Sequence, residues 1–188
     1  RQYDGFAFPD LETAEPVRLL ARFAGRSATS TSFSVNAAGE TFTASIPGTD
    51  VANNVTAPYA RIRLLEGGFL SSTEQITLTV NYPEVGAASE GWLDFLQLNA
   101  RRKLRMQGDQ MAFRDTRGVG EPEVRYLLDD ASPDVQIWEI TDPVHPRLQE
   151  YLFSGAQISF TSTGDTLRQY IAVDPAAPLL QPAAAQPL

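Results

Sequence analysis

The stretch EQITLTVNY, Glu74 to Tyr82, decides the class of fold. Ile76, Leu78, Val80 and Tyr82 fall on one face of an extended chain, and Gln75, Thr77, Thr79 and Asn81 fall on the other. This period of two, rich in β-branched residues, describes a strand with one buried and one wet face. Outward from it the same alternation recurs. VRLLARFA turns Val17, Leu19, Ala21 and Phe23 inward, TSFSV turns Phe33 and Val35 inward, and ARIRL is read with Ile62 and Leu64 inward between exposed Arg61 and Arg63. PEVRYLL, DVQIWEIT, AQISFTS and LRQYIAV continue the series. Between the runs lie NAAGE, IPGTD, LEGG, FSG and TSTGD, whose Gly, Asn, Asp and Ser suit turns. Helix signals are weak. ETAEPVRLLARFAGR could end a short helix at Gly25, but Pro16 before a clean alternation favours a strand. The expected fold is therefore all-β, an antiparallel β-sandwich of jelly-roll type with roughly 10 to 14 strands and little or no helix.

Composition narrows the function. At 188 residues the chain can bury a substantial core, and one domain is expected over 1–174, with a sub-boundary considered near 107–120. The tail from Asp174 onward, DPAAPLLQPAAAQPL, carries four prolines, so 175–188 reads as a linker toward a further domain. The chain opens on Arg1 with neither an initiator Met nor a signal peptide, as expected of a piece cut from a longer or processed protein. A formal charge of −8 argues against nucleic acid as a partner. No apolar run is long enough to span a membrane as a helix. Cysteine is absent, which removes disulfides, thiolate metal sites and a cysteine nucleophile.

Candidate sites are few. GWLDFLQLNARRKLRM, Gly91 to Met106, holds Trp92, Asp94 and Phe95 and then four cations, Arg101, Arg102, Lys103 and Arg105. Alternation would put Trp92, Asp94, Leu96 and Leu98 on one face and Leu93, Phe95, Gln97 and Asn99 on the other, leaving both faces mixed. An acid between Trp92 and Leu96 requires a partner, because an unpaired buried carboxylate is costly. A structural ion pair or turn hydrogen bond is the preferred reading, and a ligand-contacting acid the other. Trp92 and Trp138 are the tryptophans available for packing or ligand contact. Over 101–117, six cations face only Asp109 and Asp115, a local +4 that leaves −12 for the remainder. Arg101, Arg102, Lys103 and Arg105 are read as a charged edge that discourages strand pairing, with docking of an acidic partner or anionic glycan as the alternative.

Asp129, Asp130 and Asp134, with Asp142 beyond, could offer oxygens to calcium in a loop. Their spacing matches no known calcium loop, so turn-capping is preferred and no cofactor is expected. His145, between Pro143 and Pro146, is the only histidine and makes a poor catalytic centre alone. No G-x-S-x-G or S-x-x-K pattern activates a serine, and no pair of carboxylates stands out for glycoside hydrolysis. Asn54-Val55-Thr56 is a formal glycosylation sequon.

GWLDFLQLNARRKL, GDQMAFRD, VQIWEITDP and LRQYIAVDPAAPLLQP, in that order, resemble the β region that precedes the peptidase domain in gingipain-type cysteine peptidases, specifically the PorU-type sortases of type IX secretion. The likeness covers residues 91 to about 180, and YDGFAF resembles the start of the same region. The resemblance implies a parent that removes a C-terminal sorting domain from secreted cargo and joins the cargo to an anionic lipopolysaccharide, at the outer membrane or cell surface of a Bacteroidetes-like bacterium. The catalytic Cys and His of that family belong to the caspase-like domain that follows, so no catalytic residue carries over to this chain. For this piece it implies a non-catalytic accessory domain that supports or positions the downstream peptidase domain or docks its cargo, with that peptidase domain as partner and secreted cargo proteins or anionic lipopolysaccharide as further candidates. The other reading is a carbohydrate-binding jelly-roll module of a secreted protein, for which Trp92 and Trp138 must not both be buried.

Overall fold

The computed structural model describes residues 1–52 and 55–178. Asn54 of the sequon and residues 179–188 of the expected linker lie outside the described residues. Among the described residues the fold is all-β: fourteen strands, every strand pair antiparallel, and one 3-10 turn at Thr116–Gly118. The chain divides into two compact units, Arg1–Lys103 and Leu104–Leu188, so the division falls a few residues before the 107–120 stretch considered from sequence.

The first unit is a seven-stranded sandwich. Its strands are β1 (Gln2–Ala7), β2 (Val17–Arg26), β3 (Thr31–Ala37), β4 (Glu40–Ile46), β5 (Arg61–Phe69), β6 (Gln75–Asn81) and β7 (Glu90–Asn99). One sheet has the order β1-β6-β3-β4 and the other β5-β2-β7. Only the β3–β4 hairpin keeps two consecutive strands in one sheet. Val17, Leu19, Ala21 and Phe23 of β2, Phe33 and Val35 of β3, and Ile76, Leu78 and Val80 of β6 are all buried in the core, on the faces that alternation assigned to them. Removing such apolar faces from water is the main stabilising term of a sandwich. The strands oppose one another in pairs. Phe23 of β2 stacks on Phe33 of β3 at 4.3 Å between ring centroids. A Cβ at Gly67 of β5 would meet Phe42 of β4, and one at Gly91 of β7 would meet Phe33 and Tyr82, the latter just beyond β6.

Two face assignments are corrected. Ile62 and Leu64 are not inward; they are 69% and 46% exposed. They pair with Ala24 and Arg22, on the outward side of β2, while Leu65 and Phe69 take the inner face. Residues Arg61 to Leu64 are exposed on both sides, so at the start of β5 the period of two carries no information about burial. The second correction lies in β7. The register against β2 shifts between Arg22, opposite Phe95, and Phe23, opposite Leu93, leaving Asp94 as the extra residue of a bulge. The bulge brings Leu93, Leu96 and Leu98 together against the core. Trp92 and Phe95 are thereby left on the other face, opposite Ala24 and Arg22. What reads as two mixed faces is one apolar inner face and one aromatic outer face.

The second unit contains β8 (Gln110–Phe113), β9 (Val124–Leu128), β10 (Gln136–Glu139), β11 (Arg147–Leu148), β12 (Leu152–Ser154), β13 (Gln157–Ser162) and β14 (Tyr170–Val173). They form sheets of order β11-β10-β14-β8 and β12-β13-β9. Their core is aromatic: Tyr126, Phe160 and Tyr170 are buried and pack ring to ring with Phe113. Leu128, Val135, Ile137 and Ile158 complete it.

Candidate functional site

The outer face of the β5-β2-β7 sheet carries Trp92 and Phe95 of the Gly91–Met106 stretch, joined by Tyr59. Trp92 is 41% exposed and Tyr59, from the segment entering β5, is 57% exposed; their ring centroids lie 6.3 Å apart at 42°. The Arg26 guanidinium lies 4.5 Å from the Tyr59 ring centroid, a cation–π contact that holds the ring in place. Arg26 also donates to the Val51 carbonyl at 3.1 Å and stands 4.0 Å from the Glu90 carboxylate. Further along, Asp94 is paired with Arg22, whose guanidinium is 5.4 Å from the Phe95 ring centroid. Both side chains of this pair are half exposed, so the pair positions the bulge more than it stabilises the fold. Trp92, Tyr59, Phe95, Ile62 and Leu64 thus share a face with two ion pairs along it. A mixture of aromatic rings, aliphatics and arginine is typical of binding surfaces. Sequence reasoning found Trp92 and Asp94 but missed Tyr59, Arg26 and Glu90, because a contact between distant strands leaves no local pattern.

The cationic run is not a strand. Leu11 and Arg102 form a single antiparallel bridge, with the Glu12 N–H donating to the Arg101 carbonyl and the Lys103 N–H to that of Asp10. Arg102 donates through Nε to the Pro9 carbonyl. Arg105 belongs to the second unit, where it bridges Asp129 in parallel and its guanidinium lies 3.3 Å from the Asp130 carboxylate. The four cations are therefore divided between the two units.

The acidic loop is engaged by neighbours. Asp129 accepts from Gln157 at 2.7 Å, and Asp130, at φ 55°, faces Arg105. Among the described residues no three of His, Asp and Glu come together in a metal-holding group. His145 is exposed and its Nδ1 lies 2.9 Å from Asp142 Oδ2, while Asp142 Oδ1 accepts from the Val144 N–H. These hydrogen bonds, His145 first, hold the Asp142 carboxyl below its ordinary range. This is an Asx-capped turn.

In the second unit Trp138 is half-buried. Its Nε1–H donates to Gln136 at 3.2 Å, and it lies beside Leu148 and Ile171 in register. Sequence reasoning missed Arg168, which makes several side-chain hydrogen bonds. It donates to Glu139 and Asp165, each at 2.8 Å, and to the Thr163 carbonyl and hydroxyl. Asp165 is held below the ordinary carboxylate range by its Thr163 hydrogen bond and then by Arg168. The cluster fastens the loop before β14. A groove of about 590 Å³ runs past Glu123, Arg125, Tyr151 and Leu152, but the Tyr151 hydroxyl is committed to the Val135 and Pro133 carbonyls.

No protein-family model matches the sequence, and no curated protein matches it. Among solved structures, the crystal structure of dimeric latent PorU from Porphyromonas gingivalis is similar, with a TM-score of 0.76 at 17% identity. The match covers 93% of this chain and 17% of that one, so the chain spans about a sixth of the length of the structure it resembles. At that identity the likeness is one of fold. No helix among the described residues is long and apolar enough to cross a membrane.

Proposed function

We propose that this chain is a non-catalytic accessory β region of a PorU-type protein, in which a caspase-like cysteine peptidase domain does the chemistry. The observation that carries the proposal is the likeness in fold to PorU over 93% of the chain, at a TM-score of 0.76. The ordered motifs from Gly91 onward support the same reading independently, as does a chain with no cysteine and a single, Asp-bound histidine. On this reading the parent is an extracytoplasmic sortase of type IX secretion at the outer membrane. Residues 175–188 lead toward its peptidase domain. The cations Arg101, Arg102, Lys103 and Arg105 contribute to contacts with that domain, with cargo or with anionic lipopolysaccharide. The test is the coding sequence downstream of Leu188. A caspase-like domain with a Cys and a His is expected within the next two hundred or so codons; a reading frame that stops at Leu188, or peptidase activity in the purified 188-residue chain, overturns the proposal.

A second reading is favoured by one observation, the exposure of Trp92 beside Tyr59. Two adjacent rings with carboxylates and guanidinium groups at their margins suit the apolar face and hydroxyl edge of a sugar. Under this reading the chain is retarded in native gels containing a soluble polysaccharide, and Trp92→Ala abolishes the retardation. Equal mobility of both proteins across a panel of neutral and anionic polysaccharides leaves the accessory reading alone.

A further inference from the structure

Gly5 is the only glycine in the sequence that follows an aspartate. A glycine has no side chain to shield its amide nitrogen, so in an Asp–Gly pair that nitrogen can reach the aspartyl carboxyl and close a five-membered imide. The outcome depends on the local backbone and on the state of the carboxyl. Both are set here by the way β1 meets β6.

Tyr3 pairs with Leu78 and Phe6 with Ile76, which leaves Asp4 and Gly5 together opposite the single residue Thr77, as a bulge. Gly5 takes φ +93°, outside the strand region, and a Cβ at Gly5 would meet nothing within 4 Å. Both residues are exposed, so water reaches them. The carboxyl is held back by its neighbours. Asp4 Oδ1 accepts from Gln2 Nε2 at 3.0 Å and from Thr77 Oγ1 at 2.8 Å. These two bonds, Gln2 first, keep Asp4 below the ordinary carboxylate range. An ionised carboxylate closes such a ring poorly, because one of its oxygens must leave as water and therefore needs a proton.

From these observations we infer that Asp4–Gly5 is a site of spontaneous isoaspartate formation, restrained by the hydrogen bonds that Gln2 and Thr77 make to Asp4. The Gly5 nitrogen bonds to Asp4 Cγ and gives up its proton, and one carboxyl oxygen leaves as water. Water then adds back to the imide. Cleavage of its bond to the former main-chain carbonyl leaves the chain running through the old side chain, an isoaspartyl residue of unchanged mass; cleavage on the other side restores aspartate. The cycle needs no oxidant, cofactor or enzyme. Its product adds one methylene to the backbone of β1, so the pairing of Phe6 with Ile76 and of Ala7 with Gln75 is lost. Tyr3 and Phe6 then loosen from the core that they partly cover. Because β1 stands at the end of the order β1-β6-β3-β4, the β6–β3 pairing survives its release.

In the test, the whole 188-residue chain is aged in its folded state at neutral pH beside the synthetic peptide QYDGFAF. Isoaspartate is counted by enzymatic methylation and located by electron-transfer fragmentation of tryptic peptides. Conversion at Asp4 is expected in both, more slowly in the folded chain. Thr77→Val and Gln2→Ala should each convert at least about threefold faster than the parent chain, since each removes one hydrogen bond to the ionised carboxyl. Valine suits the wet face of β6, and Gln2→Ala keeps the test decisive if circular dichroism shows that Thr77→Val folds poorly. Chains enriched in isoaspartate should exchange amide hydrogens faster over residues 2–7 and at an unchanged rate over residues 31–37. A folded chain free of isoaspartate at Asp4 once the peptide has converted overturns the inference, as do folded variants that convert at the parent rate.

Discussion

At the scale of single residues, Tyr170 is the most instructive side chain. It is fully buried, with its ring 5.5 Å from Phe113 and 5.1 Å from both Tyr126 and Phe160. Its hydroxyl is buried with no hydrogen-bond partner of good geometry among the described residues, although Ser162 lies close enough to favour the ionised form. A buried hydroxyl that has given up water without gaining a partner costs on the order of 1–3 kcal/mol, while the ring keeps its full packing value. Tyr170→Phe should therefore be neutral or stabilising by about 1 kcal/mol in urea denaturation. A loss of more than about 1 kcal/mol would mean that the hydroxyl is bonded to Ser162 after all. The period of two makes such a residue legible as an inward side chain, but it cannot say whether a polar atom at its tip is satisfied. The same limit explains the site. Trp92 and Asp94 could be picked out by residue type, whereas Tyr59 and Arg26 became part of the surface only through a fold that sets a loop against two strands.

At the scale of elements, alternation recovers β2, β3 and β6 together with their buried faces, because each is a regular strand with a core on one side. It fails in β7 and at the start of β5 for two different physical reasons. β5 begins where both faces are wet, so Ile62 and Leu64 carry no penalty for pointing outward. β7 contains an extra residue, and one extra residue reverses the phase of everything after it. The second explanation makes a sharp prediction about two single-residue deletions. Removing Asp94 leaves Leu93, Leu96 and Leu98 in phase on one face of a regular strand, losing only an exposed ion pair. It should cost no more than about 1–2 kcal/mol and preserve the far-ultraviolet circular dichroism of the chain. Removing Gln97 puts Leu98 out of phase with Leu93 and Leu96 and should cost more than about 3 kcal/mol or prevent folding of the first unit. Equal damage from the two deletions would show that the bulge itself, and not the phase of the leucines, is what the strand requires.

At the scale of the whole molecule, the chain has two units with separate cores, and their chemistry differs in a way that alkali should expose. The core of the second unit contains buried phenols. Burial pushes Tyr126 up to about 12, with Tyr170 and Asp115 adding to the rise and Arg168 opposing it, and burial raises Tyr170 as well. In the first unit Tyr3 and Tyr82 are only partly buried and Tyr59 is exposed. A phenol whose folded pKa is raised favours the protonated, folded form. Its stabilising contribution is complete below the unfolded value of about 10 and is lost as pH climbs toward the folded value. The second unit should therefore lose on the order of 1–2 kcal/mol between about pH 10 and pH 12, in the window where its unfolded tyrosines ionise and its folded ones resist. The two tryptophans report on the units separately, since Trp92 lies in the first and Trp138 in the second. In a Trp92→Phe protein, the urea midpoint followed by Trp138 fluorescence should fall steadily over that range. In a Trp138→Phe protein, the midpoint followed by Trp92 should fall markedly less. Parallel falls in both would mean that the units unfold as one cooperative body, and a flat response from Trp138 would mean that the aromatic core opens to solvent before its tyrosines titrate.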